Sequence, residues 1–126
     1  MEKLEKEYAA KLCWGMVASI DLHDCNPAYI SDPKKIEQLV IELCEHIKMK
    51  RHGAALIERF AEGELEGYSA LQFIETSSVT MHFDEQKDRA FIDIFSCKSF
   101  DYQEAEKFCK QFLQAGQSKS IYYFRH

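Results

Sequence analysis

Apolar and polar positions alternate in some stretches of the chain and recur every three to four residues in others. Residues 2–13 place Leu4, Tyr8 and Leu12 on one stripe, the spacing of a short amphipathic helix. A helix of that length is marginal alone and must dock on something. In residues 16–22, Val17, Ser19 and Asp21 alternate with apolar neighbours, the pattern of a half-buried strand. Asp24, Asn26 and Pro27 make the next stretch turn-rich. A second helix opens at Asp32-Pro33, where the carboxylate can cap free amides and proline has no amide to satisfy. Ile36, Leu39, Val40, Leu43, Cys44 and Ile47 then share one helical face, and Gly53 lies past its end.

β-rich runs follow at residues 55–60, 68–75, 78–83 and 89–95. A glycine-containing loop separates the first two, and a polar hairpin tip at 84–88 separates the last two. Another helix starts at Asp101, with Glu104 as capping-box partner and an apolar stripe of Ala105, Phe108, Cys109, Phe112 and Leu113. Gly116 marks its stop, and residues 120–124 supply a last strand. Hairpin-linked strands with two amphipathic helices predict an α+β two-layer sandwich, a mainly antiparallel sheet with both helices packed on one face.

Composition narrows the picture. A chain of 126 residues is read as one domain spanning 1–126, with 1–13 an extra N-terminal segment. Its 46% hydrophobic content sets it apart from disordered chains. The formal net charge is −5, and the only basic run is the short KMKRH at residues 48–52, so nucleic acid is not an expected partner. No apolar run approaches the roughly 20 residues of a membrane span. The opening MEKLEKEYAAKL lacks the continuous apolar stretch of a signal peptide. Five cysteines, an odd number with no CxxC pair, argue against a disulfide framework or a zinc site. The expectation is a cytoplasmic protein with reduced thiols and no metal or membrane partner.

Candidate chemistry gathers in the second half: the hydroxyls of Thr76, Ser77 and Ser78, the imidazole of His82 and the thiol of Cys97. Residue types alone leave these open between structure and function, because a cysteine closing a strand often serves as a small buried hydrophobe. His23-Asp24-Cys25 is too tightly spaced to chelate by itself, and His46 and His52 flank a helix end.

Order and spacing add a resemblance. Ser77-Ser78-Val79-Thr80-Met81-His82, followed by Phe91-Ile92-Asp93-Ile94-Phe95-Ser96-Cys97, is similar to the processing and catalytic region of prokaryotic S-adenosylmethionine decarboxylases. Upstream, IDLHDCNPAYISDPKKIEQLVIELC resembles that family's opening strand, its Asp-Leu-x-x-Cys turn and the Asp-Pro start of its first helix. The likeness spans about residues 14 to 115. It implies a small, self-processing, pyruvoyl-dependent decarboxylase of spermidine biosynthesis that works by Schiff-base chemistry. It further implies a homodimer of processed protomers in which both copies line each site.

Carried over residue by residue, the resemblance implies cleavage between Thr76 and Ser77, with Ser77 becoming the pyruvoyl group. Ser69 would assist processing by hydrogen bonding, His82 would handle its proton, and Cys97 would reprotonate the product carbon. Paired strands are expected to bring these four together. Thr76 and Ser78 depart from the family's glutamate and histidine, and the family's aromatic-Pro-Glu tail is replaced by Phe83-Asp84-Glu85-Gln86. Phe60 is the nearest aromatic for stacking an adenine. Asp84 and Glu85 would suit a smaller cationic amino acid, so arginine or ornithine stands beside S-adenosylmethionine as substrate. An unprocessed paralogue that regulates an active enzyme is the reading from a different class.

Overall fold

The computed structural model describes residues 1–126. The chain runs α1 (Glu2–Ala10), β1 (Gly15–His23), α2 (Pro27–Ile30), α3 (Pro33–His46), β2 (Leu56–Phe60), β3 (Gly67–Ile74), β4 (Ser77–Asp84), β5 (Arg89–Ser96), α4 (Tyr102–Phe112) and β6 (Gln117–Arg125). The six strands form one sheet in the order β2-β3-β4-β5-β1-β6. Every neighbouring pair is antiparallel.

Period-two alternation gives the sheet one covered and one open face. Met16, Ala18, Ile20 and Leu22 of β1, Val79 and Met81 of β4, and Ile92 and Ile94 of β5 are all buried. They join Ile36, Leu39, Val40 and Leu43 of α3 and Ala105, Cys109 and Leu113 in one core. Asp32 accepts from the Lys34 amide at 2.9 Å and Asp101 from the Glu104 amide at 3.0 Å, so both long helices are capped as their sequences predict. The Glu104 carboxylate lies 3.7 Å from His46 Nδ1.

The structure departs from the sequence pattern in two places. Residues 27–30 form the short α2, because Asn26 accepts from the Ala28 amide at 3.0 Å and Pro27 occupies its first position. One helical turn is too short for periodicity to show. β6 begins three residues earlier than the apolar pattern indicates, at Gln117. There Ser118 and Ser120 face inward and donate to the Glu106 carboxylate of α4, so polar pairing hides the alternation. α1 forms within the residues 2–13 where the sequence pattern places a short helix, and it docks on the covered side. Leu4 is buried, and Tyr8 meets Phe124 edge-on at 5.6 Å.

The other face has no layer over it. Leu56, Phe60, Phe73, Ile121 and Tyr123 are each more than half exposed along it. No helix is long and apolar enough to cross a membrane.

Candidate active site

The β3–β4 hairpin pairs Ile74 with Ser77, which leaves Glu75 and Thr76 as a two-residue tip. Thr76 sits at φ 55°, the left-handed region. A β-branched residue pays a steric penalty there, so the bond between Thr76 and Ser77 follows a strained residue. Ser77 opens β4 with its side chain on the covered side, 8% exposed.

The register pairs Ser78 with Phe95, so β5 carries Cys97 past the hairpin tip. The Cys97 amide donates to Ser77 Oγ at 2.9 Å. Cys97 Sγ lies 3.9 Å from the Glu75 carbonyl oxygen, which also accepts from Thr76 Oγ1 at 2.7 Å. Thiol and hydroxyl therefore converge on one acceptor beside the Thr76–Ser77 bond.

The Cys97 thiol is held below its ordinary pKa. The Thr76 hydroxyl contributes most; burial acts in the opposite sense, and the Ser77 hydroxyl and the Lys98 charge add to the lowering. Burial pushes Cys25 and Cys44 up to about 11 and pushes Cys109 up as well. Reactivity follows the thiolate, so Cys97 stands apart from the core cysteines.

Ser69 and His82 form a second pair. They are register partners across β3 and β4, with Ser69 Oγ 2.8 Å from His82 Nδ1. They line a cleft of about 350 Å³ on the open face with Leu56, Phe60, Leu71 and Thr80. His82 lies five residues along β4 from Ser77, roughly 16 Å at about 3.3 Å per residue. An odd separation also puts the two side chains on opposite faces. The expectation that the paired strands gather all four residues is thus corrected: one chain holds them as two pairs.

Asp84 and Glu85 lie outside both pairs. Arg89 holds Asp84 at 2.7 Å through Nε, and Arg59 grips Glu85 through two hydrogen bonds of 2.6 and 3.1 Å. Partial burial would raise the Asp84 pKa, but the hydrogen bond and charge of Arg89 more than reverse this, leaving the carboxyl below its ordinary value. Asp84 reaches a shallow cleft beside His82 with its charge already matched.

Sequence reasoning missed two features. A cleft of about 370 Å³ at Thr76, Ser77 and Cys97 is rimmed by Lys48, Lys50 and Lys98. Two of these lysines belong to the KMKRH run, whose closeness to the hairpin comes from the bridge between Arg51 and Ile74. The second is Tyr8, whose hydroxyl donates to the Cys97 carbonyl at 3.1 Å. Eighty-nine residues separate that pair, and no local pattern signals it.

The sequence matches the profile of the family described as S-adenosylmethionine decarboxylase over residues 17–126, and the chain belongs to that family. Among solved structures, the adenosylmethionine decarboxylase from Aquifex aeolicus VF5 has the same fold, with a TM-score of 0.75 at 14% identity. The match covers 90% of this chain and 91% of that one. A search of curated proteins found no match.

Proposed function

We propose that the chain is a self-processing, pyruvoyl-dependent decarboxylase of S-adenosylmethionine, supplying spermidine biosynthesis. The observation that carries this reading is the cluster at the hairpin tip: a left-handed Thr76, the Ser77 hydroxyl after it and the Cys97 thiol beside both.

In processing, Ser77 Oγ adds to the Thr76 carbonyl carbon and the Thr76–Ser77 C–N bond breaks. The acyl group moves to oxygen and the Ser77 nitrogen becomes a free amine. Removal of the Ser77 α-proton then expels the Thr76 carboxylate from the β-carbon. One water hydrolyses the resulting enamine through its imine tautomer, releasing ammonia and leaving a ketone at the new terminus. Strain at Thr76 favours departure from the folded amide. The residues present fit such a group, since Glu75, Thr76 and Ser77 border open clefts on both sides.

A pyruvoyl group supplies an electrophile for the substrate amine and an electron sink for loss of CO2. The chain's own residues do the rest. Cys97 gives a proton to the product carbon in this reading, which its position beside the hairpin tip supports. The lysine rim suits the α-carboxylate end of the substrate, and Phe60, which lies in the open-face cleft with His82, offers a flat apolar face for the adenine from a second copy. Because Arg89 and Arg59 already occupy Asp84 and Glu85, these carboxylates give arginine or ornithine no unpaired anion. Ser69 and His82 reach the scissile bond from a second copy whose open face stacks on this one, completing a site that one chain leaves divided.

Intact-mass spectra of fresh protein, with Ser77→Ala as control, test the reading. Two fragments are expected: residues 1–76 and a remainder lacking a free N-terminal amine. CO2 release is then expected from S-adenosylmethionine rather than from arginine or ornithine. A chain that stays whole after long incubation would overturn the enzyme and leave the unprocessed paralogue.

A further inference from the structure

We infer that α1 is a positioning element for the Cys97 thiol, acting through the hydrogen bond from the Tyr8 hydroxyl to the Cys97 carbonyl. The inference rests on the reading of Cys97 as the proton donor, and it concerns a helix outside the span that matches the family profile.

Cys97 lies one residue past the end of β5, beyond the regular ladder. Two side chains hold its backbone instead. Ser77 Oγ takes its amide hydrogen at 2.9 Å, and Tyr8 gives a hydrogen to its carbonyl at 3.1 Å. Tyr8 is itself located by packing, edge-on to Phe124 at 5.6 Å, while Leu4 anchors the same helix in the core. The tether thus runs from the core through α1 to the residue carrying the thiol.

The two tethers have different fates. Processing transfers the Ser77 hydroxyl oxygen to the Thr76 carboxylate, so the Cys97 amide loses its partner when the site becomes competent. The Tyr8 tether does not depend on Ser77. In the cleaved protein it is the side-chain bond that keeps the thiol facing the hairpin tip, and its importance rises on cleavage. This gives the N-terminal helix a task beyond covering β6.

The charged and titratable groups around the thiol are Lys98 beside it, Lys48, Lys50 and Glu75 across the cleft, and Cys13 and Tyr8 on the α1 side. Tyr8→Phe leaves every other member of this set in place and removes only the tether. A Cys97 backbone free to drift moves the thiol away from the Thr76 and Ser77 hydroxyls, so its pKa rises.

The test follows alkylation of Cys97 by iodoacetamide across pH, using peptide mapping to separate it from Cys13. Wild type, Tyr8→Phe, Ser77→Ala and the double variant are compared. The Ser77→Ala pair lacks the serine hydroxyl and stays whole, so the result stands whether or not the native chain cleaves. Tyr8→Phe is expected to raise the alkylation midpoint by about half a pH unit, roughly a threefold loss of thiolate at pH 7. The shift is expected to be larger in the Ser77→Ala chain and in cleaved wild type, where Tyr8 is the remaining tether, than in wild type that has not yet cleaved. A midpoint that does not move in either background overturns the inference, even if the melting temperature falls. Equal shifts in uncleaved wild type and in the Ser77→Ala chain overturn the claim that Tyr8 gains importance when the serine hydroxyl is gone. Failure of the native chain to cleave would overturn the proposed enzyme while leaving the tether measurable.

Discussion

Single residues at this site differ in how their charges are matched. Asp84 is the clearest case, because Arg89 draws its carboxyl below the ordinary value. The native state therefore binds fewer protons than the unfolded chain in the acid range. The contribution is fully present above the unfolded carboxylate value of about 4 and is lost as pH falls through the lower folded value. Arg89→Gln is expected to cost at most about 1 kcal/mol at pH 7, since the pair is partly exposed. Denaturant midpoints of wild type and variant should converge between pH 4 and pH 2. A gap that persists at low pH would show that Arg89 acts through packing over Phe91, whose ring centroid lies 5.5 Å from its guanidinium.

At the scale of the element, the β3–β4 hairpin joins fold and chemistry. A two-residue tip fits tight antiparallel pairing, but its second position is left-handed and held by threonine. Asparagine adopts that conformation readily, whereas threonine does so at a steric cost. In the uncleavable Ser77→Ala background, Thr76→Asn is expected to raise stability by roughly 1 kcal/mol, read from urea midpoints. With Ser77 restored, the same substitution should slow the appearance of the 1–76 fragment. Faster cleavage in the relaxed hairpin would dissociate strain from processing. The hairpin also explains how legible the site was. Ser77 and its spacing to His82 and Cys97 can be read along the chain, whereas the approach of Cys97 to the hairpin tip depends on the register of β4 and β5.

For the whole molecule, the open face is the unfinished part. Phe73, Ile121 and Tyr123 are exposed on it, and Trp14 lies against Phe95 there with ring centroids 5.9 Å apart. An apolar face of this kind is costly to leave in water. It also carries the Ser69–His82 pair, which cannot reach Ser77 of its own chain. Phe73→Glu is expected to yield a monomer that remains whole, checked by sedimentation and intact mass. Mixing co-refolded Ser77→Ala and His82→Ala chains supplies the stricter test. Cleavage of the His82→Ala chain in the mixture, but not alone, is the expected outcome if the pair acts across copies. A monomer that cleaves as fast as wild type would sink the two-copy site.

The chain order of apolar and polar residues determined most of the fold by itself: both long helices, their caps and the strands all follow from local periodicity and local hydrogen bonding. It also determined which residue types stand at positions 76, 77 and 97. What it left open is non-local. Ser118 and Ser120 hide the start of β6 because their polarity is satisfied by Glu106 on another element. Asp84 and Glu85 look like free anions until the tertiary fold brings in Arg89 and Arg59. Tyr8 reaches Cys97 only through the docking of α1. Cys97 comes beside Ser77 only because the register of β4 and β5 carries it past the hairpin tip. Local propensities are written into neighbouring residues, whereas the partner of a side chain is decided by packing between elements far apart in the chain.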